Sequence, residues 1–162
     1  MLFLASETSL PIRLATHVWI VTVYNGIINR WDILHKEQPA EKCVGHLHKN
    51  FQKPFQGLPK YYFENKEHWN SSLVGFVSGK KESVAHTVFT FVEKQITTYQ
   101  YTTSYVMLPG PNSNSFVQWV IDSFSLPIVL PATALGKNYF KYCTFVNSVK
   151  EQFDMLHKRR MV

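Results

Sequence analysis

Ser113 and His17 are the residues in this sequence whose types and surroundings suggest chemistry. Ser113 follows a rigid Pro-Gly-Pro turn at 109–111, and an apolar stripe with helical spacing begins directly after it. A helix start offers unpaired N–H groups and a positive dipole end, which stabilise a negatively charged oxygen. A serine there has an oxyanion site beside it, but its hydroxyl also needs a base. His17, near the start of an apolar segment, is the candidate base.

Other polar residues can complete such a site. Asp32 or His35, in the segment that follows, can orient the imidazole, and the alternation of side chains along a strand decides which of them shares its face. Lys137 is a further candidate, either as the base of a Ser–Lys pair or as a cation for an anionic group. The residues expected to line the pocket are Trp19, Asn112, Asn114 and Ser115.

Each candidate also has a structural interpretation. Asn112 or Ser113 lies where a helix N-cap belongs, and capping alone explains the polar run. A histidine on an apolar strand is more often a packed core or edge residue than a catalyst. Lys137 follows a glycine turn and fits a solvated lysine. The residues by themselves therefore leave both interpretations open.

The segment that carries His17 predicts a buried strand, because THVWIVTVY at Thr16–Tyr24 is apolar and rich in β-branched and aromatic residues. Asn25-Gly26 predicts a type I′ hairpin turn, with residues 27–34 as the returning strand. This hairpin is the element that must present His17.

The remaining elements follow from periodicity. Apolar residues spaced three and four apart predict a helix over 80–98 with Ser78 as its cap, a second after the Pro-Gly-Pro turn, and a third over 138–157. Residues 72–79 and 101–108 predict two strands, and 126–137 an extended connection. Residues 35–70 contain three prolines and many lysines without a sustained period, which indicates a long basic loop region.

Composition indicates a single domain, 1–162, with a substantial core, because 45% of the 162 residues are hydrophobic and 15% aromatic. No apolar run approaches the ~20 residues of a membrane span. The N-terminal MLFLA is too short for a signal-peptide core. Two distant cysteines, Cys43 and Cys143, do not make a disulfide framework. A cytoplasmic location is therefore expected.

The net charge of +6 gives weak attraction to anionic partners, and part of it lies in a basic tail at 157–162. Lysines among aromatic residues at 48–63 permit nucleic-acid binding, although a solvated loop is the simpler interpretation. Cys43, His46 and His48 can ligate metals, but no second cluster at zinc spacing accompanies them. No metal and no cofactor is expected.

Several motifs resemble a bacterial family known only as domain of unknown function 3750. The chain has YQYTTSYVMLPGPNSNSFVQWV followed by LPATALGKNYF, where the family has a tyrosine-rich strand, PGPNSNTF and LPxxAIGKD. HVW and RWDIL resemble further family segments. Ser115 stands for the usual Thr, Asn138 for the usual Asp, and His35-Lys36 for a usual Gly-Trp. The family brings no established activity with it.

A wider resemblance is to circularly permuted papain-like proteins, including NlpC-like amidases and lecithin retinol acyltransferase-like enzymes. Their His-x-Gly-Ile motif is similar to HVWI, and their Asn-Cys-x-x-Phe-Val motif is similar to NSNSFV, with Ser113 in place of the cysteine. The resemblance implies an α+β fold, with a small antiparallel sheet packed on helices, and acyl transfer or amide hydrolysis. The pKa of a cysteine at a helix start can be lowered enough to give a thiolate, whereas that of a serine cannot.

Three hypotheses follow. The first is a hydrolase or acyltransferase that acts on an amide or ester of a small molecule, peptide or lipid, with Ser113 as nucleophile and His17 as base. The second is a non-catalytic binding module that recognises a polar ligand in the same pocket. The third, less favoured, is a basic nucleic-acid-binding protein.

Overall fold

The structure is a computed structural model that describes residues 1–8, 14–35, 43–58 and 71–160. Within these ranges, six strands form one antiparallel sheet accompanied by three α-helices, so the α+β fold expected from the sequence is confirmed. The strands are β1 (Leu2–Glu7), β2 (Thr16–Tyr24), β3 (Ile27–Ile33), β4 (Cys43–Val44), β5 (Leu47–Lys49) and β6 (Ser72–Phe76), in the sheet order β4-β5-β3-β2-β1-β6. The helices are α1 (Val84–Lys94), α2 (Ser113–Ser123) and α3 (Tyr139–Arg160), with a short 3₁₀ helix (Ile96–Thr98) after α1.

The predicted hairpin is confirmed, and its turn has the predicted chemistry. Asn25 and Gly26 connect β2 to β3 with φ angles of 49° and 78°. A type I′ turn needs positive φ at both central residues, which asparagine and glycine tolerate best. The local sequence is therefore sufficient to pair these two strands.

The register of the hairpin decides what lies beside His17. Ile20 is opposite Trp31, so these two side chains share one face of the sheet. Because side chains alternate along a strand, Trp19 and Asp32 share the other face. His17, two residues before Trp19, lies on that second face as well.

The two faces of the sheet are covered differently. The first face packs on α1 and α2 and forms the main core, whose buried residues include Phe3, Val18, Ile20, Ile33, Val88, Val92, Phe116, Val117 and Val120. The second face carries a smaller apolar cluster of Leu4, Trp19 and Val21. Residues 53–58 lie across this second face: the Trp19 indole donates to the Pro54 carbonyl at 2.9 Å, and the Leu58 N–H donates to Ser6 Oγ at 2.9 Å.

A charged residue links α1 to the sheet. The Glu93 carboxylate accepts from Lys49 Nζ at 2.6 Å, from Thr22 Oγ1 at 2.5 Å and from Trp31 Nε1 at 2.9 Å, and also from Asn29. Burial by itself raises the pKa of Glu93, but these hydrogen bonds outweigh it, so the pKa lies below its ordinary value.

The first predicted helix is shorter than its periodicity suggests. It begins at Val84, because Ser83 rather than Ser78 is the N-cap and accepts from the His86 N–H. After Lys94 the chain continues as the 3₁₀ helix. Ile96 and Tyr99 are still buried there, which extends the apolar spacing beyond the α-helix itself.

The predicted strand at 101–108 is wrong: this segment forms turns and irregular structure. Tyr101 packs against Tyr139 at the start of α3, with ring centroids 5.4 Å apart. The Val106 N–H donates to the Pro111 carbonyl at 2.8 Å, which folds the segment back on the Pro-Gly-Pro turn. Tertiary packing thus overrides the strand propensity of these residues.

The long loop region and the C-terminal part are partly described. Strands β4 and β5 lie inside the predicted loop at 35–70, whereas 36–42 and 59–70 are outside the described residues. The third predicted helix is confirmed as α3, which includes most of the basic tail. In the described part of the chain, no helix combines the length and apolar character that crossing a bilayer requires.

Candidate functional site

The start of α2 is capped by two of its four polar residues. Asn112 is the N-cap, and its Oδ1 accepts from the N–H groups of Asn114 at 2.9 Å and Ser115 at 3.1 Å. Ser115 completes a capping box, because its Oγ accepts from the Asn112 N–H at 2.7 Å. These contacts satisfy the N–H groups of Asn112, Asn114 and Ser115, which would otherwise be buried without partners.

Asn114 attaches the helix start to the strand that carries His17. Its Oδ1 accepts from the Val18 N–H at 3.0 Å, and its Nδ2 donates to the Thr16 carbonyl at 2.8 Å. The same Nδ2 donates to the Leu135 carbonyl at 2.8 Å. The two β2 groups flank His17, so one carboxamide holds the start of α2 against that point of the strand.

The Ser113 side chain neither caps the helix nor binds β2. Its side chain is buried, and the nearest polar partner of its Oγ is Asn114 Oδ1 at 3.5 Å, the outer limit of a hydrogen bond. Among the described residues, the Ser113 N–H has no hydrogen-bond partner, whereas Asn112 accepts from the next three N–H groups. The hydroxyl and an unpaired helix-start donor therefore lie at the same residue.

His17 and Ser113 both line one cavity of about 310 Å³. The cavity is lined by Thr8, Ala15, Thr16, His17, Leu58, Tyr105, Met107, Leu108, Asn112, Ser113, Asn114 and Leu135. His17 Nε2 is fully buried and lies 3.8 Å from Asp32 Oδ2.

The register places Asp32 on the same face of the sheet as His17, and it is the acidic residue next to the His17 ring. The separation of 3.8 Å is an ion-pair contact, longer than a hydrogen bond. Burial raises the pKa of Asp32, but His17 and Arg30 outweigh burial, so the pKa lies below its ordinary value and the group is a carboxylate.

Arg30 is a functional-site neighbour that the sequence analysis did not identify. Its Nε donates to Asp32 Oδ2 at 2.7 Å, and its guanidinium lies 4.2 Å from the centroid of the Trp19 ring. It also donates to the carbonyls of Lys53 and Gln56. Arg30 and Asp32 are two residues apart in a predicted strand, so the sequence RWDIL predicts that they share one face of the sheet. It does not predict that this face is buried.

Three buried atoms in this group have no hydrogen-bond partner among the described residues: His17 Nε2, Asp32 Oδ1 and Arg30 Nη2. Burial also lowers the pKa of Arg30 despite the attraction of Asp32. A buried polar atom without a hydrogen-bond partner carries a free-energy cost.

The other predicted site residues lie outside the cavity lining. His35 is exposed, with its ring 5.2 Å from that of Tyr105, on the outer side of a lining residue. The ammonium of Lys137 donates to the carbonyls of Leu130 and Pro131, both at 2.8 Å, and so fastens the 126–137 connection. Trp19 stacks on His17 with centroids 5.8 Å apart, and Ser115 caps the helix.

The structure does not support the two weaker predictions from the sequence, a metal site and a nucleic-acid-binding segment, within the residues that it describes. In the described part of the chain, no three residues among His, Cys, Asp and Glu converge as a metal site requires. His46 Nδ1 lies 2.9 Å from the Leu34 carbonyl, and His48 is buried beside Phe51. The stretch at 48–63 that suggested nucleic-acid binding extends beyond the described residues after Leu58.

Comparison with known proteins agrees with the motif resemblance. The model of the family described as "Protein of unknown function (DUF3750)" matches residues 1–139. The chain therefore belongs to this family, and the match includes both His17 and Ser113. No curated protein and no solved structure matches the chain.

Proposed function

We propose that the protein is an acyl-transfer enzyme, a hydrolase or acyltransferase of esters or amides, with Ser113 as nucleophile and His17 as base. The observation that carries this proposal is the division of roles at the start of α2. Asn112 and Ser115 cap the helix and Asn114 binds β2, whereas Ser113 faces a cavity that His17 also lines. Capping alone accounts for two of the four polar residues and not for Ser113.

The proposed reaction uses the geometry as follows. Ser113 Oγ attacks the substrate carbonyl while His17 takes the hydroxyl proton. The helix-start N–H groups, that of Ser113 first, stabilise the oxyanion. The leaving alcohol or amine departs with the proton held by His17. Water or a second acceptor then takes the acyl group, and Asp32 stabilises the charged imidazole in both steps.

The order of elements supports a permuted papain-like arrangement. The histidine lies on an early strand, and the serine lies at a later helix start that packs on that strand. We propose that the serine retains acyl-transfer chemistry here. A serine hydroxyl depends on its base more than a cysteine does, so His17 carries more of the activation than it would beside a thiolate.

A fluorophosphonate probe tests this proposal directly, because it reacts covalently with an activated serine. We expect labelling at Ser113, loss of labelling in Ser113→Ala, and a decrease of about 10²-fold or more in His17→Ala. Ser123→Ala is the matched control, since Ser123 is an exposed serine at the other end of α2 and should label like wild type. Wild-type protein that stays unlabelled under conditions in which it is folded would refute the catalytic role.

A non-catalytic binding module is the second candidate, and one distance favours it. Asp32 Oδ2 is 2.7 Å from Arg30 Nε but 3.8 Å from His17 Nε2, so the carboxylate is bound more closely to the arginine than to the proposed base. In this case Ser113 and the two asparagines would recognise a polar ligand. Ligand-dependent thermal stabilisation without covalent labelling would support this alternative.

A further inference from the structure

The cavity at Ser113 is polar at one end and apolar elsewhere. Its polar residues gather at the start of α2 and at the start of β2, where Ser113, Asn112 and His17 lie. The remaining walls are mostly hydrocarbon, from Ala15, Leu58, Tyr105, Met107, Leu108 and Leu135. Burial raises the pKa of the Tyr105 hydroxyl, so this wall presents a neutral ring at physiological pH.

The rim of the cavity is also apolar, although it is exposed to solvent. Met107 is 65% exposed and Leu108 is 56% exposed, yet both contribute to the lining. Neighbouring exposed apolar side chains on a monomer mark binding surfaces more often than isolated ones do. An apolar group that enters the cavity would cover both residues.

We propose that the substrate is an aliphatic acyl ester, thioester or amide, whose acyl chain lies along the apolar walls with its carbonyl at Ser113. This inference rests on the proposed function for the placement of the carbonyl. Ligand pockets in proteins span about 300–1,000 Å³, so a cavity of about 310 Å³ fits a chain of limited length. At roughly 30 Å³ per methylene, the cavity holds about ten carbons.

Chain-length dependence is the first test. With p-nitrophenyl esters from acetate to dodecanoate, kcat/KM should rise about fourfold per added methylene. The rise should end near eight to ten carbons, when the cavity is full. A flat dependence in wild type, with hydrolysis that still requires Ser113, would overturn the acyl-chain assignment and leave the proposed function intact.

Binding to an inactive variant separates the two proposals. Ser113→Ala should bind decanoate more tightly than hexanoate, by about fourfold per methylene in calorimetric titration. If wild type hydrolyses none of the esters but this trend is found, the acyl-binding assignment stands and the catalytic proposal fails. Equal affinity for the two acids would overturn the acyl-binding assignment.

Two variants of cavity-lining residues and one control variant test where the acyl chain binds. Leu108→Gln should reduce the ratio of decanoate to acetate ester hydrolysis by about tenfold or more, because it replaces an apolar wall by an amide. Ala15→Phe should shift the preferred ester to a shorter chain by filling the cavity. Val129→Gln is the control: Val129 is 86% exposed, does not line the cavity, and should leave the chain-length profile unchanged. Unchanged profiles in both lining variants would place the acyl chain elsewhere.

Discussion

Asn114→Ala should be among the most destabilising single substitutions in this protein. The carboxamide makes three hydrogen bonds, to the Val18 N–H and to the carbonyls of Thr16 and Leu135, over sequence distances of 21 to 98 residues. The side chain is only 5% exposed, so the partners left behind cannot all be satisfied by water. At about 1–1.5 kcal/mol for each lost bond, the substitution should cost about 3–4.5 kcal/mol. Typical domains have only about 5–15 kcal/mol of stability in total.

Urea unfolding monitored by tryptophan fluorescence measures this loss. We expect a lower midpoint with an unchanged m-value, because the substitution alters stability and not the surface exposed on unfolding. Asn147→Ala is the control, since Asn147 is exposed on α3 and should change stability by less than about 0.5 kcal/mol. A loss below about 1 kcal/mol for Asn114→Ala would show that Asn114 does not hold the start of α2 to β2.

Further predictions address reactivity, pH and backbone geometry. Ser113→Cys should alkylate with iodoacetamide with a pH midpoint below about 7.5, and His17→Ala should raise that midpoint; a midpoint near an ordinary thiol's ~8.5 would contradict the helix-start argument. Folding lowers the pKa of Glu93, so the unfolded chain binds more protons at acid pH. The contribution of Glu93 to the free energy of unfolding should therefore be fully present above the ordinary pKa of 4.5 and be lost as the pH falls below it. This acid loss, measured by unfolding at pH 3 to 7, should be smaller in Glu93→Gln. Gly136→Ala should destabilise the protein strongly, because φ is +88° and the new Cβ would collide with the Asn112 side chain. Gly26→Ala is the control: at φ +78° in open space, it should cost only the backbone strain. Equal losses of stability in thermal unfolding would refute the collision.

Local sequence patterns were sufficient for the elements that present the site. The Asn25-Gly26 turn fixes the hairpin by its own φ preferences, and the apolar stripe after Pro111 locates α2. The prediction at 101–108 was wrong because Tyr101 packs on Tyr139 of α3 and the segment does not pair with a strand. Strand β1 also has no distinguishing local signal, and its place between β2 and β6 depends on pairing across the chain.

The site was predictable in its residues but not in its geometry. Ser113 and His17 could be proposed from types and spacing, whereas the choice between Asp32 and His35 required the register of β3 against β2. Arg30 was missed because a charged residue in a strand is usually solvated, and its burial becomes evident only with residues 53–58 across that face.

The length of the polar run at the start of α2 follows from where the helix begins. Strands β2 and β3 pair only as far as Ile20 and Trp31, so the β2 backbone around His17 has open hydrogen-bonding groups on its β3 side. A helix that starts there must satisfy its own N–H groups and those of the strand. Asn112 and Ser115 form hydrogen bonds with N–H groups of the helix start, and Asn114 forms them with the strand, so three residues are enough for both. Ser113 is the fourth: it lines the cavity, and among the described residues its hydroxyl bonds to no backbone group at this junction.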